Sequence, residues 1–193
     1  MTVGLFFGSF NPIHVGHTII ANHMVEYTDL DEVWLVVSPQ NPFKKKSSLL
    51  HQNHRLELVF RATEDYSQLK PSDIEFQLPQ PSYTSNTLAY LHEKYPQHKF
   101  SLIMGSDNLT TIHNWHNSDH LLKNFNFYIY PRLDHISLPE SYKESKNIQL
   151  VKAPIIEISA SEIRKGISEG KSVRALLPEK AWLYLDEMNF YKR

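Results

Sequence analysis

At 193 residues, with 20 basic and 21 acidic side chains and a formal charge of −1, the chain has the length of one ordinary domain and carries no broad polyanion-binding surface. It contains no cysteine, which excludes a disulfide framework, a thiol nucleophile and a cysteine-ligated metal together. Hydrophobic residues make up 41%, enough for a core, yet no apolar run is long enough to span a bilayer and the N-terminal stretch lacks a secretory pattern, so a cytoplasmic protein without membrane attachment is expected.

Thr2–Phe7 is an apolar run that stops at Gly8, the pattern of a buried strand. Turn residues Gly8, Ser9, Asn11 and Pro12 follow, then a helical stretch through Ile19, Ile20, His23 and Met24. Glu32–Ser38 reads as a second strand ended by Pro39. A polar loop runs to Leu50, and its cluster Lys44-Lys45-Lys46 reads as a solvated loop or a local phosphate contact rather than a nucleic-acid patch. The next helix is expected to bury Leu56, Val59, Phe60 and Thr63, and a short extended piece is expected at Ile74–Leu78. A helix over Thr84–Glu93, strands at Phe100–Met104, Phe125–Tyr130 and Ile148–Val151, and closing helices at Ser161–Ile167 and Glu179–Met188 complete the chain; Leu133–Asn147 reads as loop. Strands alternating with helices predict an α/β fold, a parallel sheet covered on both faces. One domain over residues 1–193 is expected, with about 160–193 forming a C-terminal helical part.

The densest signal is Gly8-Ser9-Phe10-Asn11-Pro12-Ile13-His14-Val15-Gly16-His17, between the first strand and the first helix. In an open α/β sheet, ligands bind at the carboxyl ends of strands. Small residues at 8, 9 and 16 let phosphates approach the backbone, and a helix start offers N–H groups and a positive dipole end. Spaced by three, His14 and His17 are expected on one side of the first helical turn, where two imidazoles donate hydrogen bonds to a phosphoryl group as its charge rises. A metal pair is the competing reading, but no third ligand stands nearby at sensible spacing, so no protein-held metal is expected.

Near the other end stands Ile158-Ser159-Ala160-Ser161-Glu162-Ile163-Arg164. Ser159 and Glu162 fit a helix capping box, and Ser161 and Arg164 are spaced so that a hydroxyl and a guanidinium reach one phosphate.

The first string resembles the His-x-Gly-His signature of the nucleotidylyltransferase superfamily, and the second resembles its Ile-Ser-Ser-Thr-x-Ile-Arg signature, with Ala160 replacing a serine. That resemblance implies a Rossmann-like sheet in which His14 and His17 bind ATP phosphates and stabilise the pentacoordinate transition state. Asp73-Ile74-Glu75, Ser82-Tyr83-Thr84-Ser85-Asn86-Thr87-Leu88, Gly105-Ser106-Asp107-Asn108-Leu109 and Trp115 are similar to segments of the nicotinate-nucleotide adenylyltransferases. The implied reaction transfers AMP from ATP to nicotinate mononucleotide, giving deamido-NAD and pyrophosphate, with Mg²⁺ carried on the ATP phosphates. Catalysis is expected from His14, His17 and Arg164. ATP is expected against Gly8, Ser9, Phe10, His14, Gly16 and His17, and against Gly105, Asp107, Ile158, Ser161 and Arg164. The mononucleotide is expected against Asn11, Lys44, Ser82, Tyr83, Thr84, Thr87 and Trp115, with Arg174 in a supporting role. Partners are these small molecules, not nucleic acid or membrane. The family often has Asp at the place of Asn11 and Pro-His-Lys where Pro42-Phe43-Lys44 stands. Acid versus amide in the acceptor stays open from the residues alone; phosphopantetheine as acceptor, or a non-catalytic nucleotide sensor, are the rival readings.

Overall fold

A computed structural model describes residues 1–39, 49–134 and 136–192. Six strands form one all-parallel sheet: β1 (Thr2–Gly8), β2 (Glu32–Val37), β3 (Leu69–Ser72), β4 (Lys99–Gly105), β5 (Asn126–Tyr130) and β6 (Ile148–Leu150). Their spatial order is β3-β2-β1-β4-β5-β6, so the chain winds outward from β1 first one way and then the other. This is the doubly wound Rossmann arrangement, and its switch point lies between the carboxyl ends of β1 and β4.

Period-two alternation sends successive strand residues to opposite faces. On one face Phe6, Leu35 and Ile103 pack beneath α1 (Val15–Tyr27), α2 (Gln52–Thr63), α6 (Ala160–Ser168) and α7 (Glu179–Glu187). On the other, Val3, Leu5, Leu102 and Phe127 pack beneath α3 (Thr84–Lys94) and the short α4 (Ser106–Leu109) and α5 (Ser118–Asn124). Val3 and Leu5 have no exposed surface, as expected of a central strand covered on both faces. Among the described residues no helix is long and apolar enough to cross a membrane.

Two expectations need correction. The extended piece expected at Ile74–Leu78 is a 3₁₀ turn over Ile74–Gln77, and the strand is Leu69–Ser72 just before it. Pro71 in that strand is tolerated because β3 is an edge and one side of it needs no ladder donor. On α2 the buried residues are Arg55, Leu58, Val59, Ala62 and Thr63, whereas Phe60 is 47% exposed. The helix is rotated because Arg55, an arginine, occupies a core-facing position.

Candidate active site

Beyond Gly8 the chain makes a tight turn before α1. Phe10 has φ 42°, a left-handed conformation that a bulky side chain rarely adopts, so the turn is held by its surroundings. The Phe10 ring is buried, edge-on to Phe6 and to His17 with ring centroids 6.0 and 5.0 Å away. It lies directly beneath Gly8, where an added Cβ would stand 2.8 Å from the ring. Phe10 therefore shapes the turn from below, with its ring buried rather than presented at the surface of the turn.

His14 is not on the first helical turn as expected: it is the N-cap of α1, with extended backbone. Its ring stacks on that of His17, centroids 3.7 Å apart and planes 26° apart, and its backbone N–H donates to His17 Nδ1 at 3.3 Å. An Nδ1 that accepts leaves the neutral His17 ring with its proton on Nε2, so that nitrogen is a donor. Gly16 permits the close fit, since a Cβ there would stand 3.0 Å from His14 Nδ1.

His14 is buried, and its Nδ1 has no hydrogen-bond partner among the described residues. Burial, helped by the nearby positive charge of Arg132, pushes its pKa down to about 4. The ring is therefore neutral near pH 7, and an arriving phosphate would raise the value again. Because the folded value lies below the unfolded one, the unfolded chain binds the extra proton between about pH 6.5 and 4. Stability should fall across that window on acidification, and His14→Gln should flatten the fall when urea midpoints are measured from pH 7 to 4. An unchanged slope would show that His14 is not buried neutral.

Two cavities border the segment from Gly8 to His17, the first against the histidines and the second against Gly8 and Ser9. A narrow slot of about 20 Å³ lies between His14, Gly16 and His17 on one side and Tyr130, Arg132, Ile156 and Ile158 on the other. The larger, about 510 Å³, opens where Gly8, Ser9 and Ser38 at the ends of β1 and β2 face Ser82, Tyr83, Thr84 and Trp115. Its side wall is a stack of Tyr83 on His116, centroids 4.7 Å apart, with Ser85 Oγ 3.0 Å from His116 Nδ1. Tyr83 is the N-cap of α3 but supplies no side-chain cap.

Glu75 stands at the back of the large cavity, only 3% exposed, and accepts hydrogen bonds from Ser82 Oγ at 3.1 Å and Thr87 Oγ1 at 2.9 Å. Burial raises its pKa, opposed by bonds from Thr87, Ser38 and Ser82. Thr87 is completely buried and does not itself line the cavity; it acts behind the wall, through Glu75.

Arg164 joins the two ends of the chain. One of its terminal nitrogens donates to the Asn11 carbonyl at 2.7 Å, and the other to Ser161 Oγ at 3.2 Å. Ser159 caps α6, accepting from the Glu162 N–H at 3.1 Å. The side-chain oxygen of Asn11, a residue expected against the mononucleotide, accepts from the Leu50 N–H at 3.1 Å and the Tyr191 hydroxyl at 2.6 Å. Gly105 ends β4 at the switch point, and Asp107 just beyond lies 3.8 Å from Arg132. Arg174 is exposed and pairs with Glu179. Lys44 lies outside the described residues. Sequence reasoning missed Arg132 and His116, which have no motif around them, and gave Glu75 no role.

The chain matches the family described as cytidylyltransferase-like over residues 5–166. It is 60% identical over 190 residues, 98% of each chain, to a Christiangramia forsetii protein named "Probable nicotinate-nucleotide adenylyltransferase". A Flavobacterium johnsoniae protein of the same name is 56% identical over the whole of both chains. Among solved structures, the Plasmodium falciparum nicotinic acid mononucleotide adenylyltransferase complexed with NaAD shares the fold at TM-score 0.81. It has 21% identity, with 98% of this chain and 97% of that one covered.

Proposed function

This chain belongs to the cytidylyltransferase-like family and, within it, to the nicotinate-nucleotide adenylyltransferases, and on that premise we propose that its two cavities are the two halves of one site. There the AMP moiety of ATP is transferred to nicotinate mononucleotide, giving deamido-NAD and pyrophosphate, a step of NAD biosynthesis. The observation that carries the residue assignment is the stacked His14–His17 pair lining the narrow slot, while Gly8 and Ser9 of the same turn line the large cavity.

ATP takes the slot side, with its α-phosphate against His14 and His17. The mononucleotide takes the large cavity. Its pyridine ring packs against Trp115, and its carboxylate meets the first-turn N–H groups of α3, which Tyr83 leaves without a side-chain cap. A phosphate oxygen of the mononucleotide forms the new bond to the α-phosphorus. The bond from that phosphorus to the bridging oxygen breaks, and pyrophosphate leaves with the electron pair. The attacking oxygen is already anionic near neutral pH, so no general base is required. What the chain supplies is alignment of two anions and donors for the charge on the transferred group. His17 Nε2 donates to that group, while Ser161 and Arg164 hold the departing phosphates. Arg164 commits two of its five donors to Ser161 and Asn11 among the described residues. Lys44 anchors the mononucleotide phosphate.

Mg²⁺ belongs to this reading as a passenger on ATP, neutralising phosphate charge. A cytoplasmic setting and a single catalytic unit over residues 1–193 belong to the same reading.

The test is pyrophosphate release from ATP and Mg²⁺ with nicotinate mononucleotide, nicotinamide mononucleotide or phosphopantetheine as acceptor. The expected result is a strong preference for the first, with deamido-NAD formed. Preference for either other acceptor would overturn the reading of the large cavity, and ATP binding without turnover would favour a sensor.

A further inference from the structure

The carboxyl-terminal residues return to the phosphate turn. After α7 the chain reverses through two left-handed residues, Asn189 (φ 54°) and Tyr191 (φ 64°). The second is unusual for tyrosine, so something must hold it there. Phe190 packs its ring 4.9 Å from that of His54 on α2. Tyr191 turns the other way and donates its hydroxyl to Asn11 Oδ1 at 2.6 Å.

Asn11 is a junction. It is 7% exposed; its side-chain oxygen also accepts from the Leu50 N–H, and its carbonyl accepts from Arg164 at 2.7 Å. It follows Phe10, the strained residue of the turn, and precedes His14 by three residues. The Tyr191 hydroxyl thus reaches, through one residue, both the loop that aims the histidines and the arginine assigned to the departing phosphates. Arg55 and Arg164 both lie close enough to stabilise negative charge on the phenol, and burial keeps it protonated and donating.

We propose that Tyr191 is a positioning residue for adenylyl transfer, its hydroxyl locking Asn11 so that the 8–14 turn and Arg164 stand in register for the phosphates of ATP. This rests on the function proposed above. The lock acts on geometry that matters in the transition state more than on ground-state binding, so it should appear in kcat rather than in KM.

The experiment compares steady-state kinetics of wild type, Tyr191→Phe, Asn11→Ala and the double variant, with thermal melts of each. Tyr191→Phe keeps the ring and deletes only the hydroxyl. The expected result is a fall of about tenfold in kcat, with KM for ATP changed less than about threefold, as for loss of one well-placed hydrogen bond. Because both side chains act through one contact, the double variant should be no slower than Asn11→Ala alone. A lowered melting temperature with kcat within about twofold of wild type would mean a merely structural bond and overturn the proposal. So would fully multiplicative effects in the double variant. His17→Ala, run alongside, separates the layers. If it loses turnover while Tyr191→Phe does not, the lock alone fails. If it keeps wild-type turnover, the site assignment beneath the lock fails.

Discussion

His17→Ala should lower kcat by about a hundred- to a thousandfold while changing KM for ATP by no more than a few-fold. That magnitude is the one expected for deleting a single preorganised donor to a developing charge. The local structure is the reason the proposed role is given to His17 rather than to its neighbour. Its Nδ1 is occupied by the His14 N–H, which fixes the tautomer and leaves Nε2–H as donor. Its ring is fixed on two sides, against His14 at 3.7 Å and Phe10 at 5.0 Å, so no reorganisation is needed at the moment of transfer. Losing an interaction made mainly in the transition state lowers kcat and kcat/KM together and leaves ground-state binding nearly intact. Rapid-quench measurement of a single turnover would check the chemical step directly. Turnover at the wild-type rate would remove His17 from catalysis and with it the assignment of the slot to ATP.

The parts of this architecture that were legible in the sequence are those where one residue's local chemistry decides the outcome. Gly8 and Gly105 end strands, Ser159 caps a helix, and Ser161 and Arg164 meet because one helical turn brings them together. A parallel sheet covered on both faces follows from alternating strands and helices, and its Rossmann-like arrangement was implied by the resemblance of the motifs. What escaped depends on contacts between distant segments. The edge strand Leu69–Ser72 carries only one buried residue, Leu69, and a proline, so alternation pointed instead to Ile74, Phe76 and Leu78. The short helix α5 buries only Leu121 and leaves no periodic signal. Asn11 was assigned to the mononucleotide because it stands in the motif. Its side-chain oxygen also accepts from Leu50 and Tyr191, residues 39 and 180 positions away. Arg132 enters the slot only because β5 lies beside β4, a neighbour relation that no local pattern encodes.

Arg55 is the extreme case of such a residue, and it carries the largest expected effect on stability. A helix-period reading sends an arginine outward; this one has no exposed surface at all. Its guanidinium donates to four backbone carbonyls: Leu50 at 2.9 Å, Ser9 at 2.5 Å, Ser38 at 2.8 Å and Pro39 at 2.8 Å. Those carbonyls belong to the segments leaving β1 and β2 and to the segment entering α2, so one side chain ties three stretches of backbone at the mouth of the site. Burial lowers its pKa to about 10, partly offset by the Tyr191 phenol, so the group stays charged at neutral pH. Arg55→Met fills much of the volume but leaves four acceptors without their donor. Each buried, unsatisfied carbonyl costs roughly 1–3 kcal/mol before relaxation, and water entering the gap recovers part of it. A net loss of about 3–5 kcal/mol is expected, a large share of the roughly 5–15 kcal/mol that holds a domain folded. Urea unfolding should show it as a lowered midpoint at nearly constant slope. Arg55→Lys keeps a charge but offers one compact ammonium in place of a planar fork, so it should recover less than half of the loss. A midpoint shift worth under about 1 kcal/mol in Arg55→Met would mean that the three segments hold one another without the guanidinium, and the turn before His14 would need another anchor.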